Sequence, residues 1–245
     1  MKESGKSRER PARGAEAPAL DVVVPVYDED PSVVAQTIAA IDAALDGRWT
    51  YRVVIVDDGS PRPVAPLSSW GPHVTLVRHP KNQGYGRALK TGIEKGAAPW
   101  IAIVDADGSY PVGDIRLLVQ KMSCCDMAVG ARTGPVVMET PARAAVKRLF
   151  NRAASLVAGV PVRDLNSGMR VFSRDLCESV WSKLPDGFSF TSTITMWAIL
   201  GGWRMETIPI NYYRRVGESS LNPVRAAISM SLLLARLACA RRVRK

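Results

Sequence analysis

Residues 100–111 read WIAIVDADGSYP, and the fold turns on them. Trp100 to Val104 is an unbroken apolar run of strand length, the kind that parallel sheets cover on both faces. Asp105 and Asp107 follow at once, one residue apart, at the strand end where open α/β sheets place their ligands. Like charges that close repel unless a cation or a proton stands between them. Hard oxygen ligands suit Mg²⁺ or Mn²⁺, which commonly bind through one or two carboxylates and complete their shell with substrate phosphates. The alternative is a solvated turn, with Gly108 and Pro111 as its turn formers.

Outward from this stretch the chain alternates. Leu20–Val26 and Tyr51–Val56 are apolar strands that also end in acidic residues, and Pro31–Leu45 between them carries helical spacing at Val34, Ile38, Ile41 and Leu45. Strand, helix, strand in that order is a βαβ unit, which implies a parallel sheet with a right-handed crossover. Val74–Val77 reads as a strand, Gln83–Lys95 as a helix with Gly84 and Gly86 in its first turn, Val112–Met122 as a helix and Met127–Val129 as a strand. After Gly130 the pattern changes to a helix at Pro141–Ala158, a strand at Met169–Ser173, a helix at Thr191–Leu200, a strand at Arg204–Tyr213 and a helix from Pro223. Arg143, Lys147, Arg148 and Arg152 fall at helical spacing and give the helix of 141–158 one strongly basic side. The fold class is therefore α/β, a mostly parallel Rossmann-like sheet flanked by helices in one domain.

Composition narrows the function classes. The chain has 245 residues, 47% hydrophobic and 23% charged, which is ordinary for a globular protein. Its net charge of +10 is not ordinary and asks for an anionic partner. Cys124, Cys125, Cys177 and Cys239 show neither zinc spacing nor a disulfide framework, consistent with reduced thiols in the cytoplasm. His73 and His79, the only histidines, read as ordinary surface residues. Residues 1–17 are charged, small and free of aromatics, and are expected to form a disordered basic arm rather than a secretory signal. No segment reaches the roughly 18–20 uninterrupted apolar residues that span a bilayer. The expected organisation is the arm at 1–17, the α/β domain at 18–222 and a basic amphipathic helix at 223–245 that carries Leu232, Leu233, Leu234 and Leu237.

The carboxyl ends of three strands hold the unusual residues: Tyr27-Asp28-Glu29, Asp57-Asp58-Gly59-Ser60 and Asp105-Ala106-Asp107. In a doubly wound sheet these ends converge on one crevice. Glu29 and Asp58 stand where an acidic residue accepts hydrogen bonds from a base or ribose. No Gly-rich phosphate loop is present, so a diphosphate would need neutralising by a metal at Asp107 with help from arginines.

VVVPVYDED (22–30), VIVDDGS (54–60), NQGYGRALKTGI (82–93), VDADGSYP (104–111) and DLNSGMRVFSR (164–174) follow one another in an order that resembles family 2 glycosyltransferases, over about residues 20–222. The chain looks most like the catalytic domains of dolichyl- or polyprenyl-phosphate sugar synthases. The resemblance implies a GT-A fold, a GDP- or UDP-sugar donor, Mg²⁺ or Mn²⁺, and inversion at the anomeric carbon. By position it implies that Pro25, Tyr27 and Glu29 hold the donor base and ribose, with Val56 and Asp58 completing the pocket and Asp105 and Ala106 bordering the nucleotide. Asp105 and Asp107 match the acidic metal motif, and Ser109 stands where mannosyl-phosphate synthases often place a metal-touching glutamine. Arg132, in GARTG, matches an arginine that contacts the donor or acceptor phosphate; Arg215, in RRVGESSLNP, matches the arginine of a basic loop closing over the site. Relatives commonly carry a lysine where this chain has Ser220, and Arg214 is the candidate substitute.

A phosphate monoester is already largely ionised at neutral pH, so a polyprenyl phosphate acceptor needs no general base, whereas a hydroxyl acceptor does. Asp107 with Arg132, Arg214 and Arg215 would then carry catalysis by orientation and charge stabilisation. A hydroxyl acceptor in the same fold is the runner-up, with Asp186 or Glu178 as base; a catalytically silent nucleotide-binding protein is a third reading. Nucleic acid is not expected as a partner, because aromatics do not interleave with the basic runs. Basic helices at 141–158 and 223–245 suit peripheral contact with an anionic membrane from the cytoplasmic face, and the terminal helix also suits a homo-oligomer contact.

Overall fold

The computed structural model describes residues 20–67, 69–217 and 223–243. The expected arm at 1–17 and the position of Ser220 lie outside the described residues. Seven strands form one sheet in the order β3-β2-β1-β4-β6-β5-β7. They are β1 (Leu20–Val26), β2 (Tyr51–Asp57), β3 (Val74–Arg78), β4 (Trp100–Ile103), β5 (Met127–Val137), β6 (Arg170–Ser173) and β7 (Met205–Tyr212). All pair in parallel except β6, which runs antiparallel to both β4 and β5. Among the described residues seven α-helices accompany the sheet: α1 (Pro31–Leu45), α2 (Tyr85–Lys95), α3 (Ile115–Gln120), α4 (Pro141–Ala158), α5 (Arg174–Val180), α6 (Phe190–Leu200) and α7 (Pro223–Val243).

The alternation of side chains along β1 divides the core into two layers. Val22, Val24 and Val26 face α1 and α3, where Val34, Ile38, Ile41, Ile115 and Leu118 are buried. Val23 faces the other way, onto Leu89 and Ile93 of α2, in a layer shared with Phe172, Leu176, Phe190 and Ile194. A third cluster lies beside the sheet, where Ala154 and Ala158 of α4 meet Met196 of α6 and Met230, Leu234 and Leu237 of α7. Ile228 and Leu232 of α7 are exposed while Met230 and Leu234 are buried, so its apolar residues are divided between the interior and solvent.

α1 has the expected bounds because every local signal agrees: the Asp30 carboxylate accepts from Ser32 N at 2.8 Å as N-cap, and Pro31 opens the first turn. β5 runs eight residues beyond the expected end at Val129. Gly134 and Pro135 do not end it, because β7 offers a partner as far as Val137↔Tyr212, past a register irregularity. Gly134 is needed there, since a Cβ would lie 2.6 Å from the Ile210 carbonyl carbon. The helix expected at Val112–Met122 is a six-residue α-helix with a single 3₁₀ turn at either end. α5 was not anticipated; it is seven residues long and capped by Ser173 Oγ, which accepts from Leu176 N.

Candidate active site

The chain leaves β1 through Asp28, whose φ of 55° is the one positive value among described residues other than glycine. Such left-handed backbone is a strained state held by its surroundings; Asp28 N donates to Ser60 Oγ at 2.9 Å, tying the ends of β1 and β2 together. That turn aims Glu29 into the crevice, where its side chain is only 10% exposed and bonds to Arg215. Arg215 Nη1 also lies 3.4 Å from Asp107 Oδ2. One guanidinium thus bridges the acidic ends of β1 and β4. Its Nε is buried and has no hydrogen-bond partner among the described residues, leaving one donor for an incoming acceptor oxygen. Two backbone bonds hold its segment over the site: Val216 N donates to Asp107 O and Tyr213 N to Ser109 O, both at 2.9 Å.

Asp105 sits deeper. Tyr85 Oη donates to its Oδ1 at 2.8 Å, and Tyr85 stacks on Phe188 with centroids 5.6 Å apart. Burial, and then the charge of Asp107, push the Asp105 carboxyl upward, against the pull of Tyr85, Arg215 and Arg132. Burial also pushes Glu29 up to about 7, with Arg215 opposing and Asp107 and Asp105 adding to the shift. An acid cluster raised this way favours a cation. Among the described residues no three carboxylate, histidine or cysteine side chains converge into a complete cage. Two carboxylates and an open remainder fit a divalent ion whose shell is finished by a diphosphate.

The wall beside Asp105 comes from the segment before β6. A Cβ on Gly168 would fall 1.8 Å from Asp105 Oδ2, so only glycine lets this backbone and that carboxylate share the space. Gly168 N donates to Tyr110 Oη at 2.7 Å. Ser167 Oγ donates to Gly130 O, and the fully buried Arg170 donates to Ser167 O, to Thr191 O at 2.8 Å and to Thr195 Oγ1 at 2.9 Å. Burial pushes the Arg170 guanidinium down to about 10. It stiffens the turn carrying Gly168. Gly168, Arg170 and Tyr85 lay inside the motifs singled out in the sequence without being assigned a task; an arginine opening an apolar strand two residues after a glycine was the available signal.

Arg132 forms a fork with Asp164 (Nε to Oδ2 and Nη2 to Oδ1, both 2.8 Å) and lies 5.1 Å from the centre of the Tyr212 ring. Its charge still acts on Asp105. Ser109 Oγ is buried and donates to Asp107 Oδ1 at 2.5 Å. The Asp58 carboxylate is turned away from the acid cluster: Oδ1 takes bonds from His79 Nδ1 at 2.6 Å and Gln83 N at 2.9 Å, and Oδ2 from Gly84 N at 2.8 Å. Pro25 and Val56 pair across β1 and β2 and are buried, and Val56 also pairs with Val77 of β3. Ala106 is buried in the core, Tyr27 is half-buried and Arg214 is exposed. Asp186 is paired with Lys90 at 2.7 Å, and Glu178 is exposed on α5.

Two readings are corrected. His79 is not a surface residue; it is 6% exposed, with Nε2 on Thr91 Oγ1 at 2.9 Å. Lys147 does not belong to the solvated basic side of α4, because it turns inward to Glu139 and to the Arg132 carbonyl.

The Glu29 shift sets a pH dependence. Between its ordinary value of 4.5 and about 7 the folded protein holds a proton that the unfolded chain has lost, so this group's contribution to stability falls as pH rises through that window. Ribose hydroxyls donate best to the ionised carboxylate. With Glu29 on the donor ribose, as the resemblance implies, nucleotide affinity is expected to rise with pH through this window, read by titration calorimetry. Glu29→Gln should flatten the profile; an unchanged slope in that variant would separate Glu29 from the nucleotide.

This strand order, with acidic side chains at the carboxyl ends of β1 and β4, is the layout of a GT-A domain. The chain belongs to glycosyl transferase family 2, whose model matches residues 21–181, and glycosyl transfer is its class of reaction. It is 31% identical over 211 residues to the low-salt glycan biosynthesis hexosyltransferase Agl6 of Haloferax volcanii, covering 84% of this chain and half of that protein's length. It is 28% identical to the dolichyl-phosphate hexose transferase of the same organism, over 87% of this chain and 92% of that one. Among solved structures, it superposes on glucosyl-3-phosphoglycerate synthase from Mycobacterium tuberculosis, in complex with Mn²⁺, UDP-glucose and phosphoglyceric acid, with a TM-score of 0.65. That match has 15% identity and covers 90% of this chain and 80% of the other. No helix among the described residues is long and apolar enough to cross a membrane.

Proposed function

We propose that this protein is a metal-dependent, inverting hexosyltransferase that moves a sugar from a GDP- or UDP-sugar to a polyprenyl phosphate. The observation that carries this reading is the bridge of Arg215 between Glu29 and Asp107. A cationic side chain held between two carboxylates supports a site for a nucleoside diphosphate and its metal, which need opposite charges. The relatives support the donor and acceptor classes: one is a dolichyl-phosphate hexose transferase, and the mycobacterial synthase holds Mn²⁺ with UDP-glucose.

Asp105 and Asp107 would hold Mg²⁺ or Mn²⁺, with Ser109 bracing Asp107. The ion, when bound, supplies Lewis-acid stabilisation of the departing diphosphate. Glu29 orients the ribose, and Asp58 fixes the 83–84 turn that closes the base pocket. Arg215, with its free Nε, holds the phosphates, and Arg132 and Arg214 add positive charge toward the acceptor. An acceptor phosphate oxygen attacks the anomeric carbon from the face opposite the diphosphate. The bond to the diphosphate oxygen breaks, and its electron pair leaves with the nucleotide. No proton need be removed. That suits a crevice in which His79 is committed to Asp58 and Thr91, and Asp186 to Lys90.

The test is transfer from a panel of radiolabelled GDP- and UDP-sugars into a butanol-extractable lipid, with polyprenyl phosphate and Mg²⁺ or Mn²⁺. Label in the organic phase that EDTA abolishes is the expected result. Metal-dependent donor binding without label in the lipid would move the acceptor to a hydroxyl compound. Arg215→Ala should lower transfer by about a hundredfold, as loss of a preorganised charge contact does, and weaken nucleoside-diphosphate binding far less. Equal losses in both would put Arg215 on the nucleotide side alone.

A further inference from the structure

α4 is apolar on the wrong side. Its inward face is fully engaged: Ala154 and Ala158 are buried, Lys147 is bonded to Glu139, the Asn151 side chain donates to Arg163 O and accepts from Leu165 N, and Ser155 Oγ accepts from Val162 N. Val146, Leu149 and Leu156 nevertheless point to solvent, 51%, 65% and 83% exposed. Val146, Leu149, Arg152 and Leu156 fall within about 120° of one another around the helix, which makes this the outward face, and Arg143 stands exposed at its edge. Arg148 is exposed beside it, and residues 141–158 contain no Asp or Glu. A helix that only needed solubility would not spend two leucines and a valine on water.

We infer that this outward stripe docks the protein on an anionic lipid surface, with Val146, Leu149 and Leu156 entering the headgroup boundary and Arg143, Arg148 and Arg152 meeting lipid phosphates. Charge selects this occupant over a second copy of the chain. A two-fold contact through the stripe would set the same guanidiniums against each other with no carboxylate on the helix to relieve them. Apolar side chains ringed by arginines are what an interfacial helix presents to a bilayer. The placement also serves the crevice. Lys147 Nζ reaches the Arg132 carbonyl at 3.4 Å, so α4 is fastened to the strand that carries Arg132. A bilayer under α4 would bring a lipid-borne phosphate to that wall. The inference takes its setting from the polyprenyl-phosphate reading, but its test does not use that lipid.

Full-length protein is spun with vesicles of phosphatidylcholine alone or mixed with phosphatidylglycerol, both free of polyprenyl phosphate. Binding to the mixed vesicles only is expected. Each of Arg143→Gln, Arg148→Gln and Arg152→Gln should cost about fivefold in partition, and Leu149→Glu with Leu156→Glu tenfold or more. Metal-dependent nucleotide binding should survive in the double variant, showing that it is folded. Wild-type protein left in the supernatant with mixed vesicles, or a double variant that binds like wild type, overturns the inference. So does a dimer in sedimentation velocity that Leu149→Glu dissociates, which would give the face to a second copy. Vesicle binding retained while the transfer assay fails would sink the acceptor reading and leave this surface standing.

Discussion

Replacing Asp107 with Asn is expected to lower turnover by about a thousandfold or more, the order of loss when a Lewis acid worth several kcal/mol is removed. The amide keeps an oxygen to accept from Ser109 N and Oγ, which now hold Asp107 Oδ1 at 2.9 and 2.5 Å, so the turn after β4 should persist. What it removes is the negative charge that faces Arg215 and that would bind the ion. Mn²⁺-dependent nucleotide binding should vanish with turnover, while the melting temperature stays near that of the wild type. Metal titration and a thermal scan on the same sample check both halves. Wild-type turnover in Asp107→Asn would sink the metal assignment; unfolding would recast Asp107 as a structural residue.

Gly168→Ala should be nearly as damaging through one methyl group. The added Cβ would lie 1.8 Å from Asp105 Oδ2 and 2.6 Å from its Cγ. Asp105 has little room to yield, because Tyr85 holds its other oxygen and Gly168 N is held by Tyr110. Overpacking of this kind costs about 1–3 kcal/mol, and a shift of the carboxylate by about 1 Å is enough for a hundredfold loss of rate. Denaturant unfolding gives the first quantity; turnover well below the unfolding transition gives the second. A variant as stable and as active as the wild type would show that the 164–169 turn moves freely, against the packing described above. Stability lost with turnover intact would separate Gly168 from the chemistry.

The sequence exposed the frame well where several local signals coincided. α1 is bounded by Asp30, Pro31 and a clean helical spacing, and β1 and β2 by runs of valine and isoleucine that end in carboxylates. It fell short where a partner strand extended an element, as β7 extends β5 to Val137, and where an element was too short to show a period, as in α5. The site was legible as residue types but not as directions. Asp58 and Asp105 each end an apolar strand, yet one is consumed by His79 and the 83–84 backbone while the other faces the crevice. Arg132 and Arg215 looked alike as phosphate contacts, but Asp164 takes up the first and leaves the second bridging two acids. Buried charge such as Arg170 depends on residues far along the chain, Thr191 and Thr195 among them, and no local pattern foretells it.

Because β6 runs against β4 and β5, the chain enters it at the sheet edge where the parallel strands leave. The residues before β6 therefore line the crevice, and those after it, in α5, turn to the back. Lengthening or rewriting the approach at 159–163, short of Asp164 and Gly168, would remodel one wall of the crevice without disturbing the strand ends of β1, β2 and β4. Editing that single stretch of chain would vary one half of the crevice while the other half stays as the parallel strands fix it.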